Sequence, residues 1–279
     1  MDYLQRAKTF RTKKRLGQNF LISSEIINSI IEHADISKED TVIEIGAGMG
    51  FVTEKLVENA KRVIAIELDE DAIKELKKIP CDNLEILHQD ILKTDLSSLV
   101  NEKVKIIANI PYYITSPIIV HLLGEIDDLD NSNRKLISDI ILMVQYEVAQ
   151  RIAATNKSPS KQYGLLTILS QFWADCEILK KVGGKCFYPR PKVDSALVKV
   201  KVREKPLLKL NDYKHFRKTV KAAFSQRRKN IKNNLLSGGF LKENIQKSLQ
   251  KLGITENTRG EAISIEDLGR LSEELIINA

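Results

Sequence analysis

The residues with the most specific chemical potential in this 279-residue chain are four in a row, Asn109-Ile110-Pro111-Tyr112. They sit where an apolar run, Val104–Asn109, predicts the end of a β-strand. The Asn109 side-chain oxygen and the Ile110 carbonyl, aimed by the fixed φ of Pro111, can offer two hydrogen-bond acceptors side by side. Tyr112 adds an aromatic face on which a flat ring can stack. Such a set suits an exocyclic amine on a heteroaromatic base, and the N6 amine of adenine is the case that most needs it. Its lone pair is delocalised into the ring, so it is a poor nucleophile. Acceptors for the amine protons draw the nitrogen toward a tetrahedral shape and free the lone pair. If the attacked group already carries a good leaving group, no strong general base is required. Catalysis is then positioning plus hydrogen bonding in the transition state. Taken alone, the tetrapeptide reads equally well as a turn ending a strand, so its company decides.

That company is a glycine-rich turn and two carboxylates. Glu44-Ile45-Gly46-Ala47-Gly48-Met49-Gly50 follows the strand-like run Thr41–Ile45 and opens the helical pattern Phe51–Asn59. Gly46 and Gly48 would let main chain approach a ligand closely. The spacing is G-x-G-x-G with Phe51 in the next place, not the dinucleotide fingerprint G-x-G-x-x-G. It disfavours a pyrophosphate on the helix N-terminus and suits a nucleoside with an amino-acid tail. S-adenosylmethionine is such a molecule, and its sulfonium is an activated methyl donor. Glu67, ending the run Val63–Glu67, can accept hydrogen bonds from vicinal ribose hydroxyls. Asp90, after Leu84–His88, can accept from an adenine amine or simply cap the next turn. All these groups fall at strand C-terminal ends, where open α/β sheets bind ligands. A second unusual segment is Phe187-Tyr188-Pro189-Arg190-Pro191-Lys192-Val193-Asp194-Ser195. Phe187 is a candidate to pack a target base against Tyr112, or a core aromatic; Arg190 and Lys192 can meet phosphates.

Holding these side chains together requires parallel strands alternating with helices. Near-continuous Val/Ile/Leu runs at 41–45, 63–67, 84–88, 104–109 and 140–145 fit strands covered on both faces. Helical patterns lie at 51–59, 70–78, 116–123 and 147–153, with another opening at Ser23-Ser24-Glu25. Ser195–Val202 alternates apolar and polar residues, which predicts a half-exposed strand at the end of the sheet. A polar break, Arg203-Glu204-Lys205-Pro206, leads into short helices at 213–223, 230–236, 241–251 and 265–276. The expected organisation is therefore an α/β catalytic domain over 1–204, with a basic arm at 1–22, and a small helical domain over 205–279.

Charge is segregated along the chain. Residues 1–20 carry 6 Lys/Arg against 1 acidic residue, and residues 181–234 carry 17 against 3, whereas residues 21–180 carry 16 against 26. An acidic body with basic flanks points to an anionic partner such as RNA. Arg217, Lys218, Lys221, Arg227 and Arg228 are the expected phosphate contacts, with Arg217, Lys218 and Lys221 on one helix face. Cys81, Cys176 and Cys186 lack C-x-x-C spacing, and the histidines form no H-E-x-x-H pair, so neither a disulfide framework nor a metal site is expected. No apolar run is long enough to span a bilayer, and the basic N-terminus lacks the apolar core of a signal peptide. A cytoplasmic monomer without membrane or metal partners is expected.

Four segments, taken together and in order, resemble the ribosomal RNA adenine dimethyltransferase family: Lys14-Arg15-Leu16-Gly17-Gln18-Asn19-Phe20-Leu21, Glu44–Gly50, Asn109–Tyr112 and Phe187–Ser195. The resemblance covers essentially the whole chain. It implies a class I Rossmann-like methyltransferase fold, with a seven-stranded, mostly parallel sheet containing one antiparallel strand. It implies S-adenosylmethionine contacts at Gln18, Asn19, Leu21, Gly46, Glu67, Asp90 and Asn109, and two methyls placed on one adenine N6. Within the family, Arg15-Leu16-Gly17 before Gln18, Asp194, and the ending Arg259-Gly260-Glu261 with Ser264-Ile265-Glu266 resemble the housekeeping branch, although Gly260 replaces its usual Ala or Pro. That branch dimethylates two adjacent adenosines in the 3′-terminal hairpin of 16S rRNA in the small ribosomal subunit. Two alternatives stay open: a 23S rRNA adenine methyltransferase of the macrolide-resistance type, and a ribosome-assembly factor with dispensable catalysis. Ile110 argues against a DNA adenine methyltransferase, and the misplaced third glycine against a nicotinamide oxidoreductase.

Overall fold

The apolar runs at the centre of the sheet form strands that are largely buried on both faces, whereas Leu84–His88, at the sheet edge, is only partly covered. In the computed structural model, which describes residues 2–159 and 161–277, the strands are β1 (Phe20–Leu21), β2 (Thr41–Ile45), β3 (Arg62–Glu67), β4 (Leu84–His88), β5 (Val104–Asn109), β6 (Ile137–Gln145), β7 (Ala174–Val182), β8 (Phe187–Tyr188) and β9 (Ser195–Val202). Seven make one sheet in the order β4-β3-β2-β5-β6-β9-β7, and β1 pairs with β8 in a separate antiparallel ribbon. The pairs from β4 through β6 are parallel, with Ile45 opposite both Ile66 and Ala108. β9 runs antiparallel to β6, with Ser195 opposite Gln145. The strand order and the antiparallel β9 agree with the seven-stranded, mostly parallel sheet that the resemblance implies. One expectation needs correcting: β9 is not the end of the sheet. β7 lies outside it, which is why Ser195, Ala196, Leu197 and Val198 are all buried.

The helices are α1 (Tyr3–Thr9), α2 (Ser24–Ala34), α3 (Phe51–Asn59), α4 (Glu70–Leu76), α5 (Thr115–Leu123), α6 (Ser132–Leu136), α7 (Tyr146–Ile152), α8 (Leu165–Trp173), α9 (Tyr213–Ala223), α10 (Ile231–Ser237), α11 (Lys242–Lys251) and α12 (Ile265–Ile277). The chain divides into two compact units. The first takes Met1–Leu123, Asp130–Ala149 and Asp175–Val202; the second takes Gly124–Leu129, Gln150–Ala174 and Arg203–Ala279. The change near residue 203 lies beside the expected boundary at 205, while α8, assigned from sequence to the first domain, clusters with the second unit.

In the first unit, Ile26, Ile27 and Ile30 of α2 pack with Phe51, Val52 and Leu56 of α3 and with Val42, Ile107 and Met143 of the sheet. In the second unit, α9 buries Phe216, Thr219, Val220 and Ala223, a stripe with helical spacing, and Asp212 caps its first turn by accepting from the His215 N–H at 2.9 Å. Phe172 stands at the centre of an aromatic cluster, with ring centroids 5.0 Å from Trp173 and 5.5 Å from Phe216. The three cysteines form no disulfide with one another and are half-buried. Among the described residues no helix is long and apolar enough to cross a membrane, and no cluster of three or more His, Cys, Asp or Glu side chains could hold a metal ion.

Candidate active site

The chain leaves β2 in one direction for β3 and β4, then returns to β5 on the other side of β2. Such a reversal opens a crevice at the carboxyl ends of the two central strands. A cleft lies there, lined from three sources: the arm at Leu16, Gly17, Gln18, Asn19 and Phe20; the ends of β2 and β3 at Gly46, Gly48 and Glu67; and Asp90, Asn109, Ile110, Pro111 and Tyr113.

Two glycines are demanded by the geometry of the turn. Gly46 has φ +73°, and a Cβ there would stand 3.3 Å from the Asn109 carbonyl oxygen. Gly48 has φ +56°, and a Cβ would meet the Phe20 ring at 3.0 Å. A side chain at either place would be strained in backbone and would press the walls together. The Gly48 N–H then donates to Glu67 Oε2 at 2.7 Å, while Glu67 Oε1 accepts from the N–H groups of Leu68 and Asp69 at 2.8 Å each. Burial lifts the Glu67 carboxyl above its ordinary value against these three backbone bonds. Oε2 keeps capacity for another donor.

Asp90 takes the capping role and stands at the cleft. Its Oδ1 caps the turn Ile91–Lys93 by accepting from the Leu92 N–H at 3.0 Å, and it also lines the cleft. The Asn109 amide donates from Nδ2 to the Asn19 carbonyl at 3.5 Å, which leaves Oδ1 without a protein partner among the described residues. Beneath the loop, Glu44 is buried, accepts from the Thr53 hydroxyl at 2.6 Å, and has its pKa pushed up to about 8, chiefly by burial, with repulsion from Glu67 adding to it.

Other expected residues lie elsewhere. Leu21 and Phe187 face each other in the β1–β8 ribbon, 2% and 3% exposed, as part of the hydrophobic core. Phe187 is thus placed as a core aromatic and does not line the cleft. Tyr112 does not line it either: its hydroxyl is 2.7 Å from Ser195 Oγ, and burial raises its pKa. Gln18 lines the cleft with its polar atoms already engaged. Its Oε1 accepts from the Lys13 N–H at 2.7 Å, and its Nε2 donates to Asp69 Oδ2 at 2.6 Å. Asn19 donates from Nδ2 to the Gly17 carbonyl at 3.0 Å.

Asp69 is the residue that sequence reasoning missed. Its buried carboxylate caps α4, accepting from the Asp71 N–H at 3.0 Å, and pairs with Lys13 and Gln18 of the arm. Lys13 also reaches Asp71 at 2.7 Å. Burial alone would lift the Asp69 carboxyl, but the hydrogen bonds from Lys13 and Gln18 help hold it below its ordinary value. The sequence offered one cue, an Asp just before Glu70-Asp71 at a helix start. Nothing in it pointed to a partner on the arm.

The expected basic residues fall in both units, two in the first and five in the second. Arg190 and Lys192 are exposed in the first unit. In the second, a groove is lined by Asp127, Lys214, Arg217, Lys218, Lys221 and Ser225. Arg217 is committed to Glu125, at 2.7 and 3.1 Å, and to Asp127 at 3.4 Å; Lys221 lies 3.4 Å from Glu125. Lys218 stands 4.6 Å above the Phe240 ring. Arg227 donates to the Lys161 carbonyl, and Arg228 is exposed. Lys214, absent from the sequence-based set, joins the groove.

A family model of ribosomal RNA adenine dimethylases matches residues 9–276. The chain belongs to that family. The ribosomal RNA small subunit methyltransferase A of Clostridium acetobutylicum is 42% identical over 272 residues, covering 95% of this chain and 94% of that one. The protein of the same name from Bacillus licheniformis is 41% identical over 278 residues, covering 95% and 92%. Among solved structures, a dimethyladenosine transferase from Plasmodium falciparum superposes with TM-score 0.70 at 28% identity, over 89% of this chain and 94% of that one. The 23S rRNA methyltransferase ErmE does so with TM-score 0.68 at 26% identity, over 92% and 100%.

Proposed function

We propose that this member of the family transfers methyl groups from S-adenosylmethionine to the N6 amine of adenine in ribosomal RNA, two to each base. The targets we propose are two adjacent adenosines in the 3′-terminal hairpin of 16S rRNA, in the small subunit or its precursor. One observation carries the reaction: the unpartnered Asn109 Oδ1 and the Ile110–Pro111 turn share a cleft with the Gly46–Gly48 loop and Glu67. The names of the curated relatives support the small-subunit target over the large one.

The residues present fit the donor. The loop presents main chain where any Cβ would close on Asn109 or Phe20. Glu67 retains acceptor capacity for ribose hydroxyls, and the Asp90 carboxylate has an oxygen beyond its cap for an adenine amine. Gly46, Gly48, Glu67, Asp90, Gln18, Asn19 and Asn109 would hold it, with Leu21 supporting the arm from the core. When bound, it supplies a methyl group on a sulfonium, a good leaving group. The chain's own part is to orient the base and take its amine protons as hydrogen-bond donors. Asn109 Oδ1 and the Ile110 carbonyl do this; Tyr112, tied to Ser195, and Phe187, packed in the core, lie outside the cleft and support it from behind. Arg190, Lys192, Lys218, Arg227 and Arg228 contact phosphates, with Arg217 and Lys221 joining them where the RNA competes with Glu125. A hairpin loop lets the target base leave its stack more cheaply than a duplex does.

The test is transfer of labelled methyl groups to undermethylated small subunits and, separately, to large-subunit RNA, followed by digestion and mass analysis. N6,N6-dimethyladenosine in the small-subunit hairpin is expected. Label only in large-subunit RNA would move the target, and no label in either would overturn the reaction.

A further inference from the structure

Two adjacent tyrosines leave the end of β5 and meet different fates. Tyr112 is half-buried and tied through its hydroxyl to Ser195. Tyr113 is 62% exposed and lines the cleft with Asn109, Ile110 and Pro111. One edge of its ring rests on the arm: a Cβ at Gly17, where φ is +58°, would lie 3.3 Å from Tyr113 Cε1 and 3.3 Å from Pro111 Cβ. The ring is therefore backed by a glycine turn that any side chain would crowd, and the rest of it faces solvent at the mouth of the cleft.

An isolated exposed apolar side chain needs no explanation. An aromatic ring supported from behind, at the rim of a cleft that takes a flat base, is a stacking surface. When a target base is drawn into the cleft, the neighbouring nucleotide loses a stacking partner, and that loss is part of the cost of extrusion. We propose that Tyr113 replaces the lost partner: it stacks on the base adjoining the target adenosine and so reads the neighbouring position as a large flat ring. This rests on the reading of the cleft as an RNA adenine site. Because the contact is uncharged, it differs from the phosphate contacts in leaving the salt dependence of binding unchanged.

The test compares the wild-type chain with Tyr113→Ala and Tyr113→Phe. RNA affinity is measured on the target hairpin and on the same hairpin with an abasic site beside the target adenosine. Cofactor affinity is measured by calorimetry with S-adenosylmethionine, and kcat on undermethylated small subunits at saturation. Tyr113→Ala should weaken hairpin binding about tenfold, the lower part of the range for a lost base–aromatic stack, with cofactor affinity within about twofold of wild type. Tyr113→Phe should match wild type, and on the abasic hairpin all three should bind alike. Unchanged hairpin affinity in Tyr113→Ala, or a tenfold loss that persists on the abasic hairpin, overturns the proposal. So does a loss of cofactor affinity, because the ring would then serve only to support the Gly17 turn. If the wild-type chain methylates neither RNA nor subunits, the reaction assignment fails and takes this proposal with it.

Discussion

Replacing Asp69 with Ala should loosen the arm far more than it lowers global stability. The substitution removes the cap of α4, worth roughly 1 kcal/mol, and the carboxylate that receives Lys13 and Gln18. A hydrogen bond to a charged group contributes about 1.5–3 kcal/mol. Lys13 keeps its ion pair with Asp71 at 2.7 Å, so the lower end of that range applies. At about 1.4 kcal/mol per factor of ten, the open population of the arm should rise about tenfold. Trypsin has sites at Lys13, Lys14 and Arg15. When opening is fast relative to cleavage, the rate follows the open population. Cleavage within residues 13–15, followed by mass spectrometry, should therefore be about tenfold faster in Asp69→Ala. The melting temperature should fall by only about 2–4 °C, the effect of roughly 1 kcal/mol in a unit of this size. Asp69→Asn, which keeps an acceptor for the cap, should fall between the two. A melting temperature lowered as expected with no change in cleavage at the arm would refute the reasoning, because Asp69 would then be a helix cap and nothing more.

Three further outcomes follow from the same geometry. Asn109→Ala should lower kcat for methyl transfer about 10²–10³-fold, as loss of a preorganised transition-state hydrogen bond does. Its melting temperature should hold, since the substitution gives up a single long hydrogen bond, 3.5 Å to the Asn19 carbonyl; retained activity would remove Asn109 from the mechanism. Glu44, with its folded pKa raised to about 8, holds a proton that the unfolded chain releases near pH 4.5, so its contribution is present at low pH and is lost as pH rises toward 8. Glu44→Gln, which keeps an acceptor for Thr53, should gain on wild type in urea unfolding by up to about 1.4 kcal/mol per pH unit between those limits; parallel stability curves would contradict it. Neutralising Arg227 and Arg228 together as Gln should reduce the salt slope of RNA binding by about 1.4 if each meets one phosphate of a single strand, while cofactor affinity is unchanged; an unaltered slope would remove both from the RNA interface.

Much of the sheet was legible because its strands are rich in Val, Ile and Leu, and the central β2 and β5 are largely buried on both faces. Thr41–Ile45, Leu84–His88 and Val104–Asn109 coincide with β2, β4 and β5. The amphipathic patterns Phe51–Asn59 and Tyr213–Ala223 coincide with α3 and α9 for the same reason, one apolar stripe per helix. β7 was not legible: an edge strand with Asp175, Glu177, Lys180 and Lys181 looks like a polar loop, and its order depends on β9. α8 went unassigned: at nine residues, six of them apolar, the segment reads as easily as a buried strand. The glycine loop, Glu67, Asp90 and Asn109 could be brought to one cleft from sequence because each ends or follows a strand, and strand ends are visible in sequence. The arm's anchorage was not, since a pairing between Lys13 and Asp69 leaves no local pattern. Phe187 was ambiguous for a related reason: an aromatic beside two prolines reads the same whether it faces a ligand or a core, and only its pairing with Leu21 distinguishes them.

The β1–β8 ribbon also bears on how the enzyme is made. Phe20 and Leu21 are synthesised long before their partners Tyr188 and Phe187, which lie near the end of the first unit. At about 5–20 residues per second, the arm waits on the order of ten to thirty seconds for its partner strand. During that interval β2, β3 and β5 can already pair, but the wall formed by residues 16–20 has no ribbon to hold it. A growing chain therefore carries an unfinished cleft until Phe187 and Tyr188 have been made, and the arm gains its ribbon only then.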